Sequence, residues 1–426
     1  RDLRMSRGLG DVYKRQIFDK IIITWQTNYN CILVMQNILF FLLCALLTGC
    51  HAGTSRPELP EMVEYSGPNA SSLRTFIESI EVIKLDHRES ITVGAYNAIR
   101  SDSNSFYVGD MLNGSNLVYR FDRKGEFLDS IGKIGRAPGE YLGLSDFYSD
   151  PETDELYILS GQDVQLYRYH KNGRFIDQRE VPDRTQSFIK LGPQFWFYEG
   201  YNNGKYPERL TQTDSALQVM GKYLPMETRT LEASIGPLLT QHRNEAYLFT
   251  ALEPVIYRII PGSAVPFLKF DFGKYNVPES YWETENAMQA FTDLSQKGFI
   301  SIAGFMMNDD YIVTELNQQT GMEDSECYYL LGIKERHNGK WNWIRQRAEE
   351  NKLIADNQPA PKVSNRPEWY AKKLKGFTQD GKLMIFLSGY ELERLTAKDR
   401  QLIQNPEILE NADPEMDMFL FLCSLK

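Results

Sequence analysis

The chain lacks the excess of basic residues that binding to nucleic acid requires. Lysine and arginine number 47 against 57 aspartate and glutamate residues, so the 426-residue chain carries a formal net charge of −10. A protein that binds a phosphate backbone neutralises it with clustered Lys and Arg side chains. We therefore expect no nucleic-acid partner. The composition, 42% hydrophobic and 12% aromatic, is that of a globular protein with a large core.

Residues that ligate metals or perform catalysis are also scarce. The chain has 5 His and 5 Cys, with no CxxC pair or Cys/His cluster of the kind that binds zinc. The Asp-rich stretch 150–154 lacks the glycine of a calcium loop and predicts a turn. No catalytic or phosphate-binding motif occurs with the flanking strand or helix that it requires. We predict no metal site and no cofactor. Cys327 and Cys423 are predicted as buried thiols, with a disulfide as the alternative.

Long hydrophobic runs are missing apart from one near the beginning of the chain. The ten apolar residues Ile38–Leu47 are too few to span a bilayer and are typical of a signal peptide. The sequence Leu47-Thr48-Gly49-Cys50 resembles the bacterial lipobox, in which a peptidase cuts before the cysteine and a diacylglycerol is attached to its thiol. We predict lipidation of Cys50. An ordinary secretory peptide with an incidental cysteine is the alternative.

These signals divide the chain into four parts. They are a spurious upstream segment (1–34), a lipoprotein signal peptide (35–50), a flexible tether rich in Pro, Gly and Ser (51–75), and a folded domain (76–426). The membrane would be a partner through the lipid anchor. The residue directly after the lipidated cysteine is His51, whereas an Asp at this position is a signal for retention in the inner membrane. This favours the outer membrane, and the sequence does not indicate which leaflet holds the anchor.

A ten-residue pattern that occurs twice is the strongest structural signal. Residues 118–127 (VYRFDRKGEF) return 48 positions later as residues 166–175 (LYRYHKNGRF), and Ile256–Ile259 restart the pattern about two periods on. Each copy consists of a run of alternating apolar and polar residues, a polar turn that ends in Gly, and a second run that begins near Phe. This arrangement predicts a β-hairpin. Its recurrence predicts a repeat architecture.

Six blocks of the chain each hold one dense apolar run of strand length. The runs are Phe106–Val108, Leu156–Leu159, Phe195–Tyr198, Ala246–Phe249, Tyr311–Val313 and Leu383–Leu387. Each block predicts a small sheet in which this run is the buried strand. One such sheet cannot bury both of its faces alone, whereas radial stacking of several buries them and leaves only short edges. We predict an all-β fold, a six-bladed β-propeller, rather than a sandwich or a β-helix.

The two ends of the domain are predicted to close the ring. Met416–Leu425 is a final strand, and Ile80–Leu85 is an alternating strand with no block of its own. Pairing them would complete the sixth blade and remove an exposed edge. Two short helical insertions are predicted, in residues 276–298 and around Leu392–Leu402. Either could cover the channel as a lid, although packing against a blade edge is favoured.

One segment resembles a known family. Gly135-Arg136-Ala137-Pro138-Gly139-Glu140-Tyr141 is similar to the G-R-G-P-G-E-[YF] segment of six-bladed propeller lipoproteins of Gram-negative gut anaerobes, which are related to NHL-repeat propellers. Ala137 replaces a Gly of that segment. The resemblance implies a propeller and a lipoprotein. It implies little about activity, because most members are uncharacterised and a fold alone does not confer function.

Two pairs of residues are candidate ligand-binding positions. Arg136 and Glu140 lie between the outer strand of the first blade and the inner strand of the second, where they could grip a polar ligand on one face of the ring. The alternative is a tight connection held by an internal ion pair. His242 and Arg243 precede the fourth buried strand, and His242 is the histidine predicted to lie near the channel, where a structural role is favoured over a catalytic one.

These observations predict a binding protein of the cell envelope. Its ligand, a glycan, a peptide or an envelope protein, would sit at one mouth of the ring, where loops of several blades converge. The alternative is a propeller enzyme, a lyase, a lactonase or a glycan-processing enzyme, with a metal-assisted site in the central channel. The scarcity of histidine favours the binding protein.

Overall fold

Six small antiparallel sheets arranged in a ring make up the folded part of the chain. The computed structural model describes residues 59–87, 91, 93–94, 97–111, 114–182, 185–199, 208–225, 238–250, 252–281, 287–321, 326–337, 339–347, 370 and 373–426. The innermost strand of each sheet contacts the innermost strand of the next, and that of the last sheet contacts that of the first. This is a six-bladed β-propeller, which confirms the predicted fold class.

Each blade runs outward from its innermost strand, and the sixth is completed from both ends of the domain. In chain order the strands are β1 (Glu61–Glu64), β2 (Ile77–Leu85), β3 (Asn97–Ser101), β4 (Ser105–Asp110), β5 (Val118–Asp122), β6 (Phe127–Ile131), β7 (Asp146–Ser149), β8 (Glu155–Ser160), β9 (Gln165–His170), β10 (Phe175–Glu180), β11 (Ser187–Leu191), β12 (Gln194–Tyr198), β13 (Glu208–Thr213), β14 (Val219–Pro225), β15 (Leu239–His242), β16 (Glu245–Phe249), β17 (Val255–Ile260), β18 (Ser263–Asp271), β19 (Ile300–Met307), β20 (Tyr311–Gln319), β21 (Cys327–Glu335), β22 (Asn342–Arg347), β23 (Leu374–Phe377), β24 (Leu383–Ser388) and β25 (Met418–Leu425). Blades 1 to 5 comprise β3–β6, β7–β10, β11–β14, β15–β18 and β19–β22, and blade 6 comprises β23, β24, β25 and β2.

The second strand of each blade holds the predicted apolar run in all six cases. In blade 1 every residue of β4 is buried, because this strand is covered by a neighbouring blade on each face. The outermost strand β6 instead alternates, with Leu128 and Ser130 exposed. The repeated pattern forms the hairpins β5–β6 and β9–β10, and its third occurrence lies in β17. The sequence pattern therefore predicted the position of each strand within its blade.

The strands β2 and β25, from the two ends of the predicted domain, pair with each other, as predicted. β2 is antiparallel to β25, with Val82 opposite Phe421 and Ile83 opposite Leu420. β25 pairs with β24 on its other side. The pairing closes the sixth blade and satisfies backbone groups that would otherwise form an open edge.

Part of the predicted tether belongs to the propeller instead. β1 pairs in parallel with β18 as a fifth strand of blade 4. The Tyr65 ring packs edge-on against Trp343 of blade 5, and the backbone N–H groups of Asn69 and Ala70 donate to the Trp343 carbonyl oxygen. The tether prediction is therefore wrong for residues 59–75, since the open edge of β18 offers unpaired backbone groups that this segment satisfies.

The helices of the described residues are short, and the two α-helices lie in the two predicted insertions. They are the α-helices α1 (Ala287–Gln296) and α2 (Ala397–Arg400), with 3-10 turns at Leu73–Phe76, Gly273–Tyr275, Glu279–Tyr281, Gly389–Arg394 and Pro406–Leu409. The second insertion packs against blade 6, where Ile403 forms a bridge with Ile80 and Leu392 joins the core of the blade. Packing at a blade edge is thus confirmed for this insertion. None of the helices in the described ranges is long and apolar enough to cross a bilayer.

Both cysteines of the propeller are thiols rather than a disulfide. Cys423 is buried in β25, and this burial raises the pKa of its thiol. The prediction of a buried thiol is confirmed for Cys423. Cys327, at the start of β21, is more accessible than predicted.

Candidate ligand-binding channel

A cavity of about 1140 Å³ opens at one end of the central channel. Residues of all six blades line it, mainly in the turns that join the first strand of a blade to the second. We call this end the turn face. The opposite end, where the outermost strand of one blade leads to the innermost strand of the next, is the connection face. A concave space of this size with polar groups in its wall can hold a small ligand.

A buried carboxylate links the innermost strands of neighbouring blades. Asp146 in β7 accepts hydrogen bonds from Arg100 Nη2 of blade 1 at 2.9 Å and from Ser187 Oγ of blade 3 at 2.8 Å. Ser187 Oγ in turn accepts from the backbone N–H of Leu239 in blade 4 at 3.3 Å. Burial raises the pKa of Asp146, and the Arg100 guanidinium opposes that shift. The network joins four blades through side chains whose hydrogen-bonding groups are engaged with one another.

The predicted pair His242 and Arg243 lies at the turn face and lines the cavity. His242 Nε2 is 3.0 Å from Asp309 Oδ1 of blade 5, and Arg243 forms an ion pair with the same carboxylate. Burial lowers the pKa of His242, although Asp309 opposes this effect, so the imidazole is mostly neutral at pH 7. Arg243 is largely exposed at the rim. The position predicted for this pair agrees with the structure, and contact with a ligand stays a prediction.

The predicted pair Arg136 and Glu140 lies on the connection face, in the loop that leads into β7. Glu140 Oε1 is 2.9 Å from Lys133 Nζ, and Glu140 Oε2 accepts from the Ala137 N–H at 3.0 Å. The hydrogen bond from Ala137 and the interaction with Lys133 lower the pKa of Glu140. An internal ion pair thus holds the loop, and its cation is Lys133, whereas Arg136 is exposed. The two predicted pairs lie on opposite faces and do not form one site.

The cavity wall contains polar residues that were not predicted from the sequence, and three of them lie in innermost strands. Arg100, Tyr148 and Lys375 lie in or at innermost strands and line the cavity. Lys375 Nζ donates to the Asn97 carbonyl oxygen of blade 1 at 2.9 Å, and burial lowers the pKa of Lys375 to about 8. Burial and the nearby Asp150 raise the pKa of Tyr148, so its phenol stays protonated and can donate a hydrogen bond. In the sequence, each of these is an ordinary polar position in a strand.

Two further predictions concern a modification and a metal. Cys50, the predicted lipidation site, lies outside the described residues. Among the residues that the structure describes, no group of three or more His, Cys, Asp and Glu side chains is arranged to hold a metal ion. In the predicted turn 150–154, Asp150 accepts from the Glu152 N–H at 2.9 Å and forms an ion pair with Lys190. The turn is therefore confirmed.

The chain is similar to one protein family and to several solved structures. The model of DUF4934, described as a domain of unknown function, matches residues 62–417. A protein of Bacteroides fragilis NCTC 9343 that is described as exported has a TM-score of 0.66 at 16% identity, covering 86% of this chain and 99% of its own. A member of the DUF4221 family from Bacteroides vulgatus ATCC 8482 has a TM-score of 0.51 at 7% identity, covering 82% and 99%. None of the curated proteins matches the chain.

At these identities the two structures support the fold alone. They agree with the propeller that the resemblance implied. The finer relation, to NHL-like lipoproteins of gut anaerobes, stays a prediction.

Proposed function

The chain belongs to the DUF4934 family, and we propose that its propeller is an exported binding module whose ligand enters the cavity of the turn face. The observation that carries the proposal is the cavity itself, which is about 1140 Å³ and receives residues from every blade. Loops held on a rigid ring can present several polar groups to one ligand, which is how scaffolded loops commonly bind. His242 and Arg243 supply such groups at the rim, and Tyr148 and Lys375 supply them inside.

Methionine methyl groups allow a direct test of binding in the cavity. Met306 and Met307 line it, whereas Met220 is exposed on the outermost strand of blade 3. We expect at least one member of a panel of oligosaccharides and short peptides to shift the methyl NMR signals of Met306 and Met307 and to leave Met220 unchanged. A panel member that is chemically converted, rather than bound unchanged, would favour the enzyme instead.

Matched variants on the two faces show whether the ligand binds at the turn face or at the connection face. Arg243→Ala removes a largely exposed ion pair and should change stability by at most about 1 kcal/mol, so weaker binding would report lost contact with the ligand. Arg136→Ala, on the connection face, is the control and should bind as the unaltered protein does. If no panel member shifts Met306 or Met307, or if Arg136→Ala alone weakens binding, the turn face is not the site.

We further propose that the module is a lipoprotein of the outer membrane, anchored through Cys50. The support is the lipobox-like sequence Leu47–Cys50 and the exported structural relative. Cys50→Ala should prevent incorporation of labelled palmitate and release the protein from the membrane fraction. A variant that remains labelled and membrane-bound would refute the anchor, and it would leave the binding proposal unaffected.

A further inference from the structure

The cations that line the cavity differ in whether a carboxylate pairs with them. The five Lys and Arg side chains in the wall are Arg100, Lys190, Arg243, Lys375 and Lys382. Four of them form ion pairs, which are Arg100–Asp146, Lys190–Asp150, Arg243–Asp309 and Lys382–Glu81. Within the described part of the chain, Lys375 has no carboxylate within salt-bridge distance. A buried ammonium group without a counter-ion is unfavourable, and lysine is seldom buried unless it is paired.

The position of Lys375 makes it accessible from the cavity and leaves part of its bonding capacity unused. It lies in β23, three residues before the turn that begins at Thr378, so it is set back from the rim. Its ammonium group donates one hydrogen bond, to the Asn97 carbonyl oxygen. An ammonium group has three donors. Two donors therefore remain for a ligand that reaches the inner part of the cavity.

We propose that Lys375 forms a subsite for an oxyanion, such as a carboxylate or phosphate group of the ligand, in the inner part of the channel. This inference rests on the proposed function, because it names the chemistry of one group of the same ligand. Two acidic residues of the wall, Asp150 and Asp309, form the ion pairs already named. The other three, Glu152, Asp310 and Asp380, are exposed in the turns of the rim. A ligand with an anionic group would thus first contact the rim, which holds both positive and negative side chains. Behind the rim it would reach the ammonium group of Lys375, which pairs with no carboxylate of the described residues.

The charged groups around Lys375 are already engaged with other partners. Glu315 of blade 5 raises the pKa of Lys375, and its Oε1 accepts a hydrogen bond from the Tyr329 hydroxyl at 2.7 Å. Lys373 lowers that pKa and Glu391 raises it, and these two form an ion pair with each other. Since burial outweighs these influences, Lys375 loses its proton at a pH near 8 in the free protein. Binding of an anion favours the ammonium form, so affinity should fall as the pH rises above that value.

The test uses simple anions as probes and three variants of the full propeller. Acetate, inorganic phosphate and sulfate are titrated in low-chloride buffer, with the Met306 and Met307 methyl signals as the readout. We expect saturable shifts with at least one anion at pH 7, and an apparent affinity that falls about tenfold per pH unit above the pKa of Lys375. Lys375→Met should abolish the saturable shift. Lys375→Arg should retain it and lose the pH dependence, because arginine stays charged.

Thermal stability separates a binding role from a structural one. Lys375→Met removes an unpaired cation and should leave the melting temperature of the free protein unchanged or higher. Lys171→Met is the matched control, since its partner Asp102 would be left buried without its cation and neither residue lines the cavity. This control should lower the melting temperature and still bind the anion. A fall in melting temperature with Lys375→Met and unchanged anion binding would overturn the inference.

Failure of this inference is distinguishable from failure of the proposed function. If a neutral oligosaccharide or peptide shifts Met306 and Met307 while none of the three anions does, the oxyanion subsite is refuted and the binding module stands. If no probe of either kind shifts these signals, both are refuted. Shifts that follow ionic strength alone and also reach Met220 would show non-specific salt effects, which count against the subsite.

Discussion

Gly125 and Gly173 occupy the same position of the repeated hairpin and differ in what surrounds them. Both have positive φ angles, of +93° and +81°. A Cβ atom at position 173 would meet its nearest neighbour, the Ser130 carbonyl oxygen, at 3.3 Å. A Cβ atom at position 125 would instead collide with the carbonyl oxygen of Lys84 in the closing strand β2. The Gly125 carbonyl oxygen also accepts from the Asp86 N–H at 2.8 Å. The hairpin of blade 1 is therefore packed directly onto the strand that closes the ring.

This difference predicts unequal effects of the same substitution. Gly173→Ala should lower the free energy of unfolding by about 1–2 kcal/mol, the usual cost of a left-handed backbone for a residue with a Cβ. Gly125→Ala adds a clash with backbone that cannot be relieved unless the hairpin moves away from β2, so we expect a loss of about 3–5 kcal/mol. Gly192→Ala, with φ +55° and no atom within 4 Å, measures the conformational cost alone.

Urea-induced unfolding of the three variants, followed by tryptophan fluorescence, is the measurement. Comparable slopes of the unfolding curves would show that the variants start from the same folded ring. If Gly125→Ala and Gly173→Ala are destabilised equally, within about 0.5 kcal/mol, the contact between hairpin and closing strand contributes nothing.

Three other predictions follow from buried groups. Asp146→Ala should lower the free energy of unfolding by about 3–5 kcal/mol, measured by the same urea titration, because Arg100 would lose its buried partner. Cys423 should react with a thiol reagent such as DTNB only when the propeller opens, since burial raises the pKa of this thiol; rapid labelling under native conditions would contradict its placement. Although burial opposes the effect, hydrogen bonds from Lys171 and others hold the pKa of Asp102 below its usual value. The resulting stabilisation is present above about pH 4 and is lost as the pH falls through the lowered pKa. In Lys171→Met the free energy of unfolding should therefore depend less on pH in the acid range.

The sequence was sufficient to predict the blades because the burial of each strand follows from its place in the blade. The second strands lie between two blades and carry the dense apolar runs, and the hairpins carry a glycine where the backbone turns, as at Gly125. The strand β1 was not predicted. Its composition indicated a tether, and its pairing with β18 depends on an edge that exists only after blade 4 has formed. Local sequence cannot specify such an edge.

The candidate site was predicted in part, for a similar reason. His242 and Arg243 could be placed at a channel mouth because they stand shortly before a buried strand, His242 at the end of β15 and Arg243 in the turn that follows. Lys375 lies in a short strand with no distinguishing motif around it. Its significance depends on which groups of blades 1 and 5 face it, and these are separated from it by long stretches of chain. Only the assembled ring brings them together.

Charge alone does not distinguish a binding residue from a structural one in this channel. Asp146 and Lys375 are both ionisable groups set on innermost strands, and both contact a neighbouring blade. Asp146 receives donors from the side chains of two other blades, so little of its capacity is left for a ligand. Lys375 gives one of three donors to the protein. The unused hydrogen-bonding capacity of Lys375 is therefore the property on which the proposed oxyanion subsite rests.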